Sequence, residues 1–425
     1  MPNSESKAES RRKFLRLLAG SPLFALSGFP YGPFSKFLVS DHGEVGQVFD
    51  ALAGLGQSEN LITSPDQALD VMDFEPVARK VLPPAHFGYL ATGVDDDATV
   101  RANREGFTKL QIRARRMVDV SNIDMSVRIF GTTWDTPIVL SPVGSQKAFH
   151  PEGEIAVARA ARSKGHLQIL STVGTSSVED VTAARGTPIW QQLYPTDVWE
   201  VGRAIVKRAE AAGCPVLVLT VDIQEGSNRE TLFRSERVDT RQCSLCHASG
   251  FSGYVRRKPM FDGLDVSRVK GLLAPWLDWD FVKRLRDTTT MKLVLKGIVT
   301  HEDAQLAVEH GVDGIIVSNH GGRSEETLRS TIESLPEVLK GTSGKLPVIV
   351  DGGFRRGTDI FKAMALGASA VGIGRPYCWG LAAFGQPGVE AVLEILRREL
   401  QIIMRQTGTI SIDKISRAYV MDRPH

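Results

Sequence analysis

His320 stands three residues before Arg323 in the run Val317-Ser318-Asn319-His320-Gly321-Gly322-Arg323, at the end of a short apolar stretch. An imidazole with an ordinary pKa near 6.5 can take up a proton at neutral pH. A guanidinium beside it can grip a carboxylate through paired hydrogen bonds. Asp222 closes another apolar stretch and is the kind of carboxylate that orients such a histidine and favours its charged form; Arg229, seven residues on, offers a second guanidinium. Lys296 also ends an apolar run, where it can act as a Schiff-base nucleophile, a structural cation or the charge partner of an anionic cofactor. Two further loops suit a phosphate: Asp351-Gly352-Gly353-Phe354-Arg355-Arg356-Gly357 and Gly374-Arg375-Pro376. Their glycines let backbone N–H groups approach an anion, and their arginines neutralise it. The chemistry read from these residues is a phosphorylated cofactor, a small anionic substrate and proton removal by His320.

Something must hold these residues together. Eight short apolar runs, at 138–140, 167–170, 188–193, 216–221, 293–295, 314–317, 348–350 and 370–373, alternate with helical spacing such as 155–163, 199–212, 302–310 and 358–366. The count of eight predicts an α/β fold, a (β/α)8 TIM barrel, over the doubly wound open sheet that uses the same alternation. The runs end in Ser171, Gln192 with Tyr194, Asp222, Lys296, Ser318 with His320, Asp351, and Gly374-Arg375. In a barrel these ends share one rim, and the loops after strands seven and eight are its usual phosphate site. One excursion, 229–279, breaks the rhythm and reads as a lid. Upstream, 66–82 has helical spacing ended by Pro83-Pro84. The domain reading is a barrel with a helical extension over 64–425, a linker at 31–63 and a separate segment at 1–30.

With 51 basic and 49 acidic side chains the net charge is +2, and 42% of residues are hydrophobic. This is the composition of a globular domain; it excludes disorder and a polytopic membrane protein, and lacks the basic excess expected for nucleic-acid binding. Four cysteines in 425 residues exclude a disulfide scaffold. Ser10-Arg11-Arg12-Lys13-Phe14-Leu15-Arg16 precedes a weakly apolar run too short to span a bilayer. It resembles a twin-arginine export signal, with small residues Ala25 and Ser27 placing cleavage near Gly28. The predicted location is the periplasm or another exported compartment, the alternative being the cytoplasm. Cys243-Ser244-Leu245-Cys246-His247 has the attachment spacing of c-type haem, with Met260 as a second axial ligand; the alternatives are a lid disulfide, a metal half-site or two free thiols. No metal site is assigned.

From about residue 64 to Lys414-Ile415-Ser416-Arg417, the chain resembles the FMN-dependent α-hydroxy-acid oxidases and dehydrogenases, which include glycolate oxidase, lactate oxidase, lactate monooxygenase and mandelate dehydrogenase. The resemblance is carried by the 318–323 motif and by Asp351-Gly352-Gly353-x-Arg355-Arg356-Gly357-Thr358-Asp359. It implies FMN as cofactor and His320 as base, with Asp222 stabilising the imidazolium. Arg323 and Arg229, helped by Tyr89, would pair with the substrate carboxylate, and Tyr194 would hydrogen-bond near its hydroxyl. Pro142, Val143, Gly144, Ser171, Gln192, Thr220 and Ser318 would hold the isoalloxazine ring, with Lys296 at its pyrimidine edge. Asp351, Gly352, Gly353, Arg355, Gly374 and Arg375 would contact the ribityl chain and phosphate.

Three departures bear on the pocket. Gly144 stands where many members have Ala. Leu90 and Val173 stand where glycolate-oxidase-like members carry aromatics, and Ser324-Glu325-Glu326 replaces the family's usual continuation. The expected reaction is oxidation of an L-2-hydroxy acid, L-lactate or a related small acid, to the 2-oxo acid, with oxygen, a quinone or a cytochrome as final acceptor and a homotetramer as the assembly. The alternatives are a monooxygenase-type lactate enzyme, an exported flavin or haem electron-transfer module without substrate chemistry, and a Schiff-base enzyme using Lys296. A carrier needs no carboxylate clamp, which argues against the module.

Overall fold

The computed structural model describes residues 61–240 and 250–424. The export-signal segment, the linker up to residue 60 and the Cys243-Ser244-Leu245-Cys246-His247 motif lie outside the described residues.

Eight parallel strands close into a barrel: β1 Ile138–Leu140, β2 Leu167–Leu170, β3 Trp190–Leu193, β4 Val216–Thr220, β5 Lys292–Lys296, β6 Gly314–Val317, β7 Val348–Asp351 and β8 Ala370–Ile373. Closure comes from β8 pairing with β1, Val371 opposite Ile138. The helices between and after them are α1 Gly153–Ser163, α2 Val178–Arg185, α3 Trp199–Ala211, α4 Trp279–Arg286, α5 His301–Glu309, α6 Thr331–Thr342, α7 Gly357–Leu366 and α8 Arg375–Thr407. Helix α8 is broken at Phe384 and Gly385. Side-chain caps set several starts. Ser177, Asp278 and Thr300 accept the N–H groups of Asp180, Phe281 and Asp303, each cap worth about 1 kcal/mol.

Strand periodicity organises the interior. Val139, Ile169, Trp190, Val218, Val294, Ile316, Ile349 and Ala370 form one apolar cluster. Two residues further along each strand, and so on the same face, come Ser141, Ser171, Gln192, Thr220, Lys296, Ser318, Asp351 and Gly372. The interior therefore changes from apolar to polar in one layer, at the C-terminal rim. The opposite end is stoppered by a hairpin, Val127–Ile129 with Thr132–Trp134. Its Ile129 joins the interior cluster, and Phe130 stacks on Trp190 with centroids 5.5 Å apart.

Two expectations change. The helix read over 66–82 spans only Phe74–Val81; residues before it form two 3-10 turns, because Asp70 and Asp73 cap one another's backbone N–H groups. Pro84, read as a helix terminator, occupies the first position of a new helix, Pro84–Ala91, where its fixed φ is favourable. The 229–279 excursion holds helices Glu230–Arg237 and Gly250–Val255 and a 3-10 turn, Pro259–Phe261. Met260, the axial ligand of the haem reading, is fully buried in the apolar core.

Candidate active site

The His320 imidazole, the expected base, is held by residues that follow β6 and β4. His320 has φ +55, a left-handed conformation that costs a non-glycine residue about 1–3 kcal/mol and persists only where its surroundings hold it. Its backbone N–H donates to Ser318 Oγ (3.1 Å), and its Nδ1–H donates to Asp222 Oδ1 (2.7 Å). The carboxylate thereby fixes the tautomer and leaves Nε2 as acceptor, 3.3 Å from the Tyr194 hydroxyl. Asn319 pins the loop below by exchanging amide hydrogen bonds with Asn103 (2.9 and 3.0 Å).

Burial pulls His320 down to about 4, against the opposing pull of Asp222, so the imidazole is neutral at pH 7. Burial raises Asp222, but Lys296 and His320 outweigh it and hold the carboxyl down to about 2. With His320 as the base that the resemblance implies, protonation would block it, and its lowered pKa would move the acid limb of activity downward. The kcat/KM profile should stay flat below pH 6 and fall only near pH 4; an inflection at 6.5 contradicts this environment.

Lys296 is a cation rather than a nucleophile. Its Nζ donates to Ser318 Oγ (2.8 Å) and lies 3.5 Å from Asp222 and 3.8 Å from Asp351. Burial alone would lower its pKa, but the two carboxylates raise it. A Schiff-base lysine needs the opposite shift.

Arg323 lays its guanidinium over the Tyr89 ring (4.4 Å), and its buried Nε and Nη2 have no partner among the described residues. Arg229 immediately precedes the helix Glu230–Arg237 without capping it through its side chain; burial and then the charge of Arg323 lower its pKa. Two guanidiniums that repel each other, one with buried unpaired donors, form a site that requires an anion. Tyr89 and Arg229 are brought together because their helices touch at Gly88, whose Cβ would lie 2.5 Å from Ser235 Cβ. Tyr254, on the lid, is close enough to feel Tyr89, Arg229 and Arg323, and burial raises its pKa.

A cavity of about 720 Å3, its open mouth included, lies among these groups. Tyr89, Tyr194, Lys296, His320 and Arg323 line it, as do Pro142, Val143, Gly144 and Ser171 from the first two strands. Asp351, Gly352, Gly353, Arg355, Gly374 and Arg375 line the far end. Five expected residues stand behind the wall. Gln192 accepts from Ser171 Oγ (3.1 Å) and donates to Thr220 Oγ1 (2.9 Å); Ser318 holds Lys296; Asp222 holds His320; Arg229 donates to Ser227 Oγ (3.0 Å). Arg375 donates to the carbonyls of Leu90, Gly321 and Thr92, tying the Tyr89 helix to the His320 loop. Ser141 and Gly372 were missed, although strand parity places both on the interior face; a Cβ on Gly372 would lie 2.3 Å from Ser141 Oγ.

The chain matches the model of the FMN-dependent dehydrogenase family over residues 78–422. It belongs to that family. It is 40% identical over 354 residues to the peroxisomal (S)-2-hydroxy-acid oxidase of Oryza sativa subsp. japonica, covering 83% of this chain and 96% of that protein. With glycolate oxidase of Spinacia oleracea the identity is 40% over 351 residues, covering 83% and 95%. Among solved structures, a soluble variant of the membrane-associated (S)-mandelate dehydrogenase from Pseudomonas putida superposes with TM-score 0.77 at 32% identity, covering 84% of this chain and all of that one. A mandelate oxidase variant with (S)-mandelic acid gives 0.75 at 35%, covering 84% and 99%. This family member is an FMN-dependent 2-hydroxy-acid oxidoreductase.

The cavity fits FMN by its own chemistry. Asp351 Oδ1 and Arg355 Nε, on residues that line it, are buried without partners among the described residues, groups that a ribityl hydroxyl and a phosphate would satisfy. Burial, with mutual repulsion, pulls Arg355 to about 9 and, with Arg323, Arg375 to about 10, strain that an anion relieves. Gly353 has φ +83, and a Cβ there would lie 2.1 Å from the Asn103 carbonyl oxygen. Gly353→Ala should therefore lose at least about 1–3 kcal/mol and shed flavin during gel filtration, read as a lower melting temperature and a lower 450 nm to 280 nm absorbance ratio.

Proposed function

We propose that this protein oxidises L-lactate, or a close small relative among the L-2-hydroxy acids, to the 2-oxo acid. The observation that carries this reading is the pair of buried, unpartnered donors on Arg323, which lines the same cavity as a neutral His320. Arg323 binds the substrate carboxylate, Arg229 adds positive charge from behind the wall, and Tyr89 closes one side of the clamp. Tyr194 hydrogen-bonds at the substrate hydroxyl. His320 takes the substrate proton at Nε2, and Asp222 neutralises the imidazolium that forms. Bound FMN supplies the two-electron acceptor for the substrate's C–H bond. Lys296, kept protonated by Asp222 and Asp351, offers fixed positive charge to a cofactor that becomes more negative on reduction. Gly144 and Val173 line the cavity, Val173 packed over Gly144, and this small apolar wall supports a substrate with a short side chain such as methyl.

The arginine pair at 11–12 supports an exported, periplasmic setting, and there a quinone or cytochrome is the acceptor in preference to oxygen. The family resemblance supports a homotetramer. Anaerobic addition of L-lactate to the yellow protein should bleach it, while D-lactate should not; a protein bleached by neither L-lactate, glycolate nor (S)-mandelate overturns the reading. Reoxidation rates with oxygen, a quinone and a cytochrome then identify the acceptor.

A further inference from the structure

Glu154 lies in the first turn of α1 with no solvent exposure. A buried carboxylate normally requires a cation or several hydrogen bonds. This one accepts from four neutral donors: the N–H of Gln146 (3.1 Å) and the N–H of Thr175 (2.7 Å) at Oε1, the Ser176 hydroxyl (3.1 Å) at Oε2, and the Thr175 hydroxyl shared between Oε1 (3.0 Å) and Oε2 (2.8 Å). The Thr175 hydroxyl itself accepts the N–H of Lys147 (3.0 Å), so its proton is directed at Glu154.

The donors come from two different loops. Gln146 follows β1, in the loop that carries Val143 and Gly144; Thr175 and Ser176 follow β2, in the loop that carries Val173. The loops also meet directly. The N–H of Ser145 donates to the Val173 carbonyl (3.0 Å), and a Cβ on Gly144 would lie 2.5 Å from Val173 Cγ2. Gln146 Nε2 donates to the Val143 carbonyl (3.0 Å) and to the Tyr377 hydroxyl (3.2 Å), so the β1 loop is held from the α8 side as well. Gly144 and Val173 both line the cavity. One carboxylate thus fixes the spacing of two loops whose facing residues interlock at the cavity wall.

We propose that Glu154 is a positioning residue that holds the Gly144–Val173 wall in place and so sets which substrate side chains the enzyme accepts. The inference rests on the reading above that a 2-hydroxy acid occupies this cavity. Removing the acceptor leaves two buried N–H groups unpaired, and the loops move to recover partners. An acid with a side chain reaching the wall loses its fit, whereas glycolate, which has none, does not touch it.

The test compares Glu154→Met, which keeps length without acceptors, with Glu154→Gln, which keeps one oxygen for the two N–H groups while the hydroxyls rotate to accept. Half-saturation is measured by anaerobic flavin reduction for the wild type's best substrate, and for glycolate as substrate or competitive ligand. Glu154→Met should raise the first about tenfold, the usual weight of one misfitted apolar contact, and the second less than twofold, with FMN retained and the reduction rate at saturation little changed. Glu154→Gln should restore most of the ratio. Equal change for both ligands, no change, or failure of Glu154→Gln to restore the ratio overturns the proposal. If Glu154→Met does not fold, the Thr175→Val and Ser176→Ala double variant, which removes the hydroxyl donors alone, should shift the same ratio in the same direction, and an unchanged ratio overturns it. Wild-type protein that no 2-hydroxy acid reduces refutes the underlying reading instead, a separable result.

Discussion

His320→Ala should yield a folded, yellow protein that L-2-hydroxy acids no longer bleach on the wild-type timescale, with kcat/KM lower by about 10^4-fold, the upper range for loss of a positioned base. Flavin should be retained, because the ring's hydrogen bonds go to Asp222 and Tyr194 and the cofactor groups on the wall come from other strands. Loss of the imidazole also leaves Asp222 with Lys296 as its remaining partner at 3.5 Å, which keeps the carboxylate compensated and the fold intact. Stopped-flow reduction under anaerobic conditions reads the effect without interference from the acceptor step. A variant reduced within tenfold of the wild-type rate would remove His320 from the role of base.

The second large effect belongs to Arg323. Its side chain covers Tyr89 and lines the cavity, and two of its buried donors have no partner among the described residues. Arg323→Met keeps most of the apolar stem over the tyrosine ring but deletes the clamp. Truncating one partner of a buried charge-assisted pair costs about 3–5 kcal/mol, so kcat/KM should fall by about 10^3-fold. Because the carboxylate is held both before and during reaction, much of the loss should fall on KM. Removing one cation also relieves Arg229, whose pKa Arg323 lowers, so the variant should not be destabilised. A kcat/KM within tenfold of wild type would assign the carboxylate to Arg229 alone.

Much of the site is legible along the chain because a strand end carries its own chemistry. Asp222, Lys296, His320 and Asp351 each close an apolar run, and eight such runs alternating with helices admit few folds. The phosphate end is equally local, since Gly352, Gly353 and Arg355 lie within four residues. The boundaries of β2, β6 and β8 agree with the apolar runs because those runs, buried on both faces, start and stop where burial does.

What the chain order hides is set by contacts between distant segments. Gln192, Thr220 and Ser318 look equivalent to Ser171 in sequence, yet they do not line the cavity, their side chains being engaged with one another or with neighbours at the strand ends. Whether Lys296 is nucleophile or cation depends on Asp222 and Asp351, 74 and 55 residues away in opposite directions. Tyr89 reaches the site only because Pro84 starts a helix that packs against the one carrying Arg229. The stopper hairpin around Phe130 and the Glu154 brace have no local signature, since each exists only where loops or chain ends meet. Residue type and strand period are properties of neighbours in sequence, so composition and spacing reveal the barrel, the flavin loops and the base. Charge state, wall position and the clamp depend on distances across the closed barrel, and those exist only once it has folded.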